Sequence, residues 1–194
     1  MARVQIFKTN LNSRPSLFQM DLISFKGHLY PAFQAKGNAS QFAIPFAKHF
    51  CKGIGYDIGF AKEEWKLPGA IGIDEVLANG YTADCLPDDQ VDYIFSSHCL
   101  EHVDNWTNTL EYWLSKLKSN GVLFLYLPDL SQVYWRPWHN RKHRHCFTPE
   151  IVEAFLKDHG CTNIFRSGID LNNSFSIVCS VASSPESSCL KSDA

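Results

Sequence analysis

The chain has 194 residues, 45% hydrophobic and 20% charged, with a formal net charge of −2. That length suits one domain with a tail and a sizeable buried core, and the charge gives no global attraction to nucleic acid or to an anionic membrane surface. No apolar run reaches the about 18 residues that span a bilayer, and residues 1–16 lack the apolar core of a secretory signal. The seven cysteines are scattered, odd in number and free of any C-x-x-C pair, so the composition predicts a reduced, cytoplasmic protein.

Residues 1–37 are punctuated by Gly27, Pro31 and Gly37 and read as an N-terminal extension that packs on the main domain or on a partner. The main domain is expected over residues 38–182. It opens with a helix from Asn38 to Gly53, capped by Asn38, with Phe42, Phe46 and Phe50 on one face and Pro45 as a kink or a later start. Short apolar runs follow at Gly55–Ile58, Ala70–Ile73 and Tyr81–Ala83, and a clearer one at Val91–Phe95. In Asn105–Leu117, residues Leu110, Trp113, Leu114 and Leu117 fall at i, i+3, i+4 and i+7, the stripe of an amphipathic helix. Val122–Leu127 is wholly apolar, as a parallel strand covered on both faces requires. Beyond the loop Val133–Phe147, Thr148 caps a helix with Pro149 in its first turn, closed by Gly160. Asn163–Arg166 and Phe175–Val181 read as an antiparallel edge pair, and residues 183–194 as a disordered tail. Alternating strands and helices imply a doubly wound, Rossmann-like α/β sheet, whose ligands bind outside the carboxyl ends of the strands.

The residues just after each strand therefore matter most. Asp57-Ile58-Gly59-Phe60-Ala61 follows the first, where a glycine lets a ligand approach the backbone. Asp74 follows the second and can accept two hydroxyl hydrogen bonds, as a ribose diol offers, or can cap the next turn. Asp84 follows the third and can take an amino hydrogen bond, with Leu86 available to a flat ring. Ser96-Ser97-His98-Cys99-Leu100-Glu101-His102 follows the fourth.

In that order these segments resemble the successive motifs of small class I S-adenosylmethionine-dependent methyltransferases, over about residues 38–182, and most specifically at Val91–Val103. The resemblance implies a seven-stranded, mostly parallel sheet with the last strand antiparallel. It puts the methionine part of the cofactor near Asp57, Gly59 and Phe60, and the ribose hydroxyls on Asp74. Asp84, Cys85 and Leu86 would meet the adenine, with Ser97 and His98 beside the transferring methyl. The chain departs from the family at one turn: Gly59 is kept, but Ala61 and Glu63 stand at the next alternate places, where glycine is usual.

Methyl transfer from a sulfonium needs alignment and water exclusion more than a catalytic group, and a base helps a hydroxyl or amine acceptor. His98, His145 and His143 are the candidates for that base. The loop from Trp135 to His145 carries four fixed positive charges and two tryptophans, and reads either as a solvated surface loop or as a substrate loop with Arg141 and Arg144 facing an acceptor anion. A small-molecule or saccharide-like acceptor is expected, not nucleic acid and not a membrane. Two other readings compete. One is a methyltransferase-like scaffold that has lost activity. The other is zinc chemistry at His98-x-x-Glu101-His102, with a third ligand only to be guessed among Glu111, Glu150 and Glu153, and His143-x-His145 as a remoter metal pair. No metal ligand set is assigned. A nucleotide-dependent oxidoreductase is disfavoured, since no G-x-G-x-x-G follows the first strand.

Overall fold

A computed structural model of the chain describes residues 21–25, 27–139 and 142–182. Its order of elements follows the switches of hydrophobic period in the sequence. A hairpin of β1 (Leu22–Phe25) and β2 (His28–Pro31) leads through a 3-10 turn, Ala32–Lys36, to α1 (Ser40–Phe50). Then come β3 (Gly55–Ile58), β4 (Ile71–Ile73), β5 (Val91–Ser97), α2 (Trp106–Ser115) and β6 (Leu117–Pro128). The chain continues with α3 (Pro149–Asp158), β7 (Cys161–Arg166) and β8 (Ser174–Val181). The last six strands form one sheet in the order β4-β3-β5-β6-β8-β7. β4, β3, β5 and β6 run parallel, and β8 is antiparallel to both β6 and β7.

The central strands are apolar throughout because each covers two cores at once. Along β5 and β6, Ile94, Leu123 and Leu125 point to one face and pack with Leu110 and Trp113 of α2 and Val152 and Leu156 of α3. Their neighbours Tyr93, Phe95, Phe124 and Tyr126 point to the other, against Ala43 and Ala47 of α1. This period of two, with helices on both sides, is the doubly wound architecture.

Local chemistry sets the helix ends. The Asn105 side chain accepts from the Asn108 N–H at α2, and the Thr148 hydroxyl from the Ile151 N–H at α3, where Pro149 fills the first turn. At α1, Asn38 Oδ1 accepts from the Gln41 N–H, and Pro45 sits inside the helix without ending it. Phe46 and Phe50 pack on Phe124 at ring separations of 5.8 and 6.2 Å, while Phe42 turns to Phe33 at 5.2 Å.

One element corrects the sequence reading. The sheet has six strands, not seven: Tyr81–Ala83 makes only an isolated bridge between Thr82 and Cys85. Thr82 and Cys85 exchange both backbone hydrogen bonds, at 2.9 and 3.1 Å, so the segment's own turn takes groups that a neighbouring strand would use. The segment folds on itself as a tight turn instead.

The 3-10 turn after the hairpin meets the loop after β6 through a buried pair, Gln132 Nε2 donating to Gln34 Oε1 at 2.9 Å. The rest of the extension, residues 1–20, and the tail 183–194 lie outside the described residues. The six described cysteines are free thiols. Among the described residues no helix is long and apolar enough to cross a membrane.

Candidate functional site

A cleft of about 520 Å³ opens at the carboxyl ends of β3, β4 and β5, within the usual range for a small-ligand site. Gly59, Asp74, Asp84 and His98, predicted from four separate turns, share its wall, together with Thr82 and His102.

The turn after β3 is built by backbone geometry. Gly59 has φ +80°, and a Cβ there would lie 2.5 Å from the sulfur of Cys99, so only glycine fits. Its N–H donates to the Ile73 carbonyl at 2.8 Å. Ala61, standing where the related turns carry glycine, also adopts the left-handed conformation, with φ 61°. Its N–H donates to Asp74 Oδ2 at 2.9 Å, while Asp74 Oδ1 accepts from the Val76 N–H at 3.0 Å. Asp74 thus fixes the turn and caps the next one, and each of its oxygens keeps a second lone pair for a ligand.

Asp57 is buried, and its Oδ2 accepts from the Leu67 N–H at 2.6 Å, closing the loop between them. Burial pushes its carboxyl up to about 7. It borders a side recess of about 80 Å³ with Gly59, Phe60, Ser97, Trp65 and His98. The buried Ser97 hydroxyl in that recess has no hydrogen-bond partner among the described residues.

At the third turn Asp84 stands on the wall and accepts from the Thr109 hydroxyl at 2.5 Å. Thr82 and Ala83 form the wall beside it. Cys85 is exposed, and Leu86 lies in the core with α2, its N–H donating to the Tyr112 hydroxyl at 2.9 Å.

His98 is where three spaces meet. It borders the cleft, the Asp57 recess, and a smaller recess with Phe33, Gln34, Trp135 and Asn172. Its φ of 51° turns the chain at the end of β5. Nε2 lies 2.9 Å from the Ser174 hydroxyl and Nδ1 3.5 Å from Glu101 Oε1. Burial pushes this imidazole down to about 3, so it is neutral at neutral pH. His143 is also buried and held down to about 3 by the same cause. It stacks on Trp135 at 5.2 Å. His145 Nε2 lies 2.8 Å from the Val103 carbonyl. His143 and His145 border a separate recess with Trp135 and Arg136, and of the three histidines only His98 stands on the cleft wall.

The basic loop divides. Lys142 and Arg144 reach the cleft, and Arg144 is paired with Asp104 at its mouth. Arg136 turns away, its Nε donating to the Leu130 carbonyl at 2.9 Å beside Trp138. Arg141 lies outside the described residues. The zinc-hydrolase pattern finds no helix: Leu100–His102 is a 3-10 turn preceded by the left-handed His98, so its two histidines do not share a helical face. Two contributors escape sequence reasoning, Gln34 and Asn172, which come from distant segments with no local motif. Trp135 stands in the basic loop that the sequence singles out, and Glu101 in the His98-x-x-Glu101-His102 pattern.

Residues 35–164 match the family model described as a methyltransferase domain. No curated protein matches the chain. Among solved structures, the complex between the Haloferax volcanii Trm112 methyltransferase activator and a methyltransferase superposes with a TM-score of 0.60 at 13% identity, over 78% of this chain and 94% of that one. An S-adenosylmethionine-dependent methyltransferase from Thermotoga maritima gives 0.59 at 18% identity, over 76% and 92%. The N-methyltransferase NodS of Bradyrhizobium japonicum, solved with S-adenosylhomocysteine, gives 0.53 at 14% identity, over 77% and 88%. At these identities the likeness is one of fold.

Proposed function

The chain belongs to the methyltransferase domain family and is an S-adenosylmethionine-dependent methyltransferase, and from that premise we propose that it methylates a small hydroxyl- or amine-bearing acceptor, saccharides included, delivered to the His98 side of the cleft. The observation that carries the reading is the meeting of Gly59, Asp74, Asp84 and His98 on one wall.

The residues present suit the cofactor. Gly59 leaves the backbone open to close approach, Asp74 has unused acceptor capacity for a diol, and the partnerless Ser97 hydroxyl lies in the recess next to Asp57. We assign Asp57, Gly59, Phe60 and Ser97 to the methionine end, Asp74 to the ribose hydroxyls and Asp84 to the adenine. Bound there, S-adenosylmethionine supplies an activated methyl on a positively charged sulfur whose leaving group is neutral.

The chain's own work is then alignment and drying of the acceptor. The 3-10 turn after β2 contributes Phe33 and Gln34 to the recess that His98 shares with Trp135 and Asn172, which gives the acceptor a partly aromatic wall. Both His98 ring nitrogens already face protein atoms, Ser174 and Glu101, so we assign His98 to positioning rather than to proton removal. Lys142 and Arg144 stand at the mouth, where an acceptor carrying a phosphate or carboxylate would meet them. The net charge of −2 favours a small acceptor over nucleic acid.

Calorimetric titration with S-adenosylhomocysteine, followed by labelled-methyl transfer to a panel of small hydroxyl and amine compounds, RNA and protein, tests this. Binding in the micromolar range with transfer to a small compound is expected. Transfer to macromolecules alone would overturn the acceptor assignment. In the same assay His98→Gln should lower kcat at least about tenfold while KM for the acceptor and cofactor affinity hold within about twofold. A variant altered only in cofactor affinity would move His98 out of the acceptor side.

A further inference from the structure

Among the described residues, a buried carboxyl with two partnerless oxygens lies just behind the cleft. The Glu101 carboxyl is fully buried, and neither oxygen has a hydrogen-bond partner among the described residues. Three imidazole nitrogens surround Oε1: His98 Nδ1 at 3.5 Å, His102 Nε2 at 3.8 Å and His143 Nε2 at 4.0 Å.

The outer contact of one of these rings settles which of its nitrogens carries the proton. His102 Nδ1 lies 2.7 Å from the Lys142 carbonyl, which can only accept, so Nδ1 holds the hydrogen and Nε2 turns a lone pair to Glu101. The Ser174 hydroxyl lies 2.9 Å from His98 Nε2 and 3.2 Å from the Asn172 carbonyl. His143 is held edge-on to His102, at 4.6 Å and 88°, and flat on Trp135 at 9°. The bare His102 Nε2 thus faces a buried carboxyl, with two further imidazole nitrogens beside it.

We propose that Glu101, His102 and His143 form a binding site for a divalent transition-metal ion of the zinc type, which ties the basic loop to the end of β5. Their ligand atoms lie within 4.8 Å of one another. Tetrahedral ligation at about 2.0–2.1 Å separates ligand atoms by about 3.3 Å, so a modest inward shift closes the site. Two imidazoles and a carboxylate select zinc, iron or cobalt over magnesium or calcium. The His102 N–H donated to a main-chain carbonyl is the outer contact that orients ligating histidines. A fourth position is left for water or for His98. The architecture indicates what the ion would do. His102 follows β5 and His143 belongs to the loop bearing Lys142 and Arg144, whose chain already meets the same residue: the Arg144 and His145 N–H groups donate to the Glu101 carbonyl at 2.8 and 3.2 Å. An ion there would fix the cleft mouth.

This site is distinct from the zinc-peptidase pattern, because its third ligand comes from the loop and it offers no hydrolytic base. It stands independently of the acceptor and of the cofactor assignment. The test uses the full chain, stripped with a chelator and free of cofactor. Titration with Zn²⁺ should show one equivalent bound at or below micromolar Kd, with a rise in Tm, and Co²⁺ should show ligand-field bands without thiolate charge transfer. His102→Gln and Glu101→Gln should each weaken Zn²⁺ at least about tenfold, while Cys161→Ser, at the buried Cys161 and Cys179 thiol pair, should leave it unchanged. His102 is only half-buried, so that variant keeps the test open if Glu101→Gln does not fold. No stoichiometric binding by the folded wild type, or binding unchanged by His102→Gln, would overturn the site. A protonated Glu101 sharing its hydrogen with a histidine would then account for the cluster. S-adenosylhomocysteine affinity, measured on the same samples, reports on the methyltransferase site separately.

Discussion

The two halves of the cleft are built by different means. On the β3–β4 side the wall is backbone: a glycine that admits no Cβ, a left-handed alanine, and a carboxylate that holds two main-chain N–H groups. On the β5–β6 side it is side chains gathered from far apart, with Gln34, His98, Trp135 and Asn172 meeting around one recess. Backbone turns suit a cofactor that is the same in every turnover. Side chains from separable segments let the acceptor end change without disturbing the sheet.

The largest effect expected concerns Asp57, under the cofactor half. Its folded pKa of about 7 lies above the ordinary carboxylate value, so the folded state binds the proton more tightly than the unfolded chain. Its contribution to stability is fully present below about pH 4 and is lost as pH rises towards 7, on the order of 2–4 kcal/mol. Asp57→Asn, which keeps an acceptor for the Leu67 N–H, should flatten that slope, measured as the difference between variant and wild type in urea unfolding at several pH values. Parallel pH profiles would show the loop anchored by some other contact.

Next comes Asp74→Ala. It should weaken S-adenosylhomocysteine by about 1–3 kcal/mol in calorimetry, through lost charge-assisted hydrogen bonds. Acceptor KM should stay within about twofold; a change confined to KM would reverse the division of the cleft.

On the opposite side, Gln34→Leu strands the Gln132 amide and should cost about 1–2 kcal/mol of stability while raising acceptor KM. Unchanged acceptor kinetics in the folded variant would detach the N-terminal turn from the acceptor site.

The smallest effect is at Ala61. Ala61→Gly relieves a left-handed alanine and should stabilise by about 0.5–1 kcal/mol, net of the freedom glycine adds to the unfolded chain. A loss of stability in urea unfolding would mean that the Ala61 methyl makes a contact worth more than its strain.

Legibility followed the same division. The elements that rest on local pattern were readable: the apolar runs of β5 and β6, the Thr148 cap, and the glycine and acids after successive strands. Tyr81–Ala83 misled because a short apolar run has the same pattern whether or not a neighbour exists to pair with it. Ala61 was visible as a departure from the glycine pattern. That it takes the glycine conformation, held by Asp74, was not visible, since the partner lies on another strand.

The sequence by itself determined the alternation of strands and helices, the two cores and the acidic turns at the strand ends, because periodicity and capping act over a few residues. Only the tertiary structure decided which residues share the recess beside His98, and that a buried glutamate faces three histidines. Those depend on distances between segments up to about a hundred residues apart, and burial there resets the charge of groups that local sequence leaves ordinary.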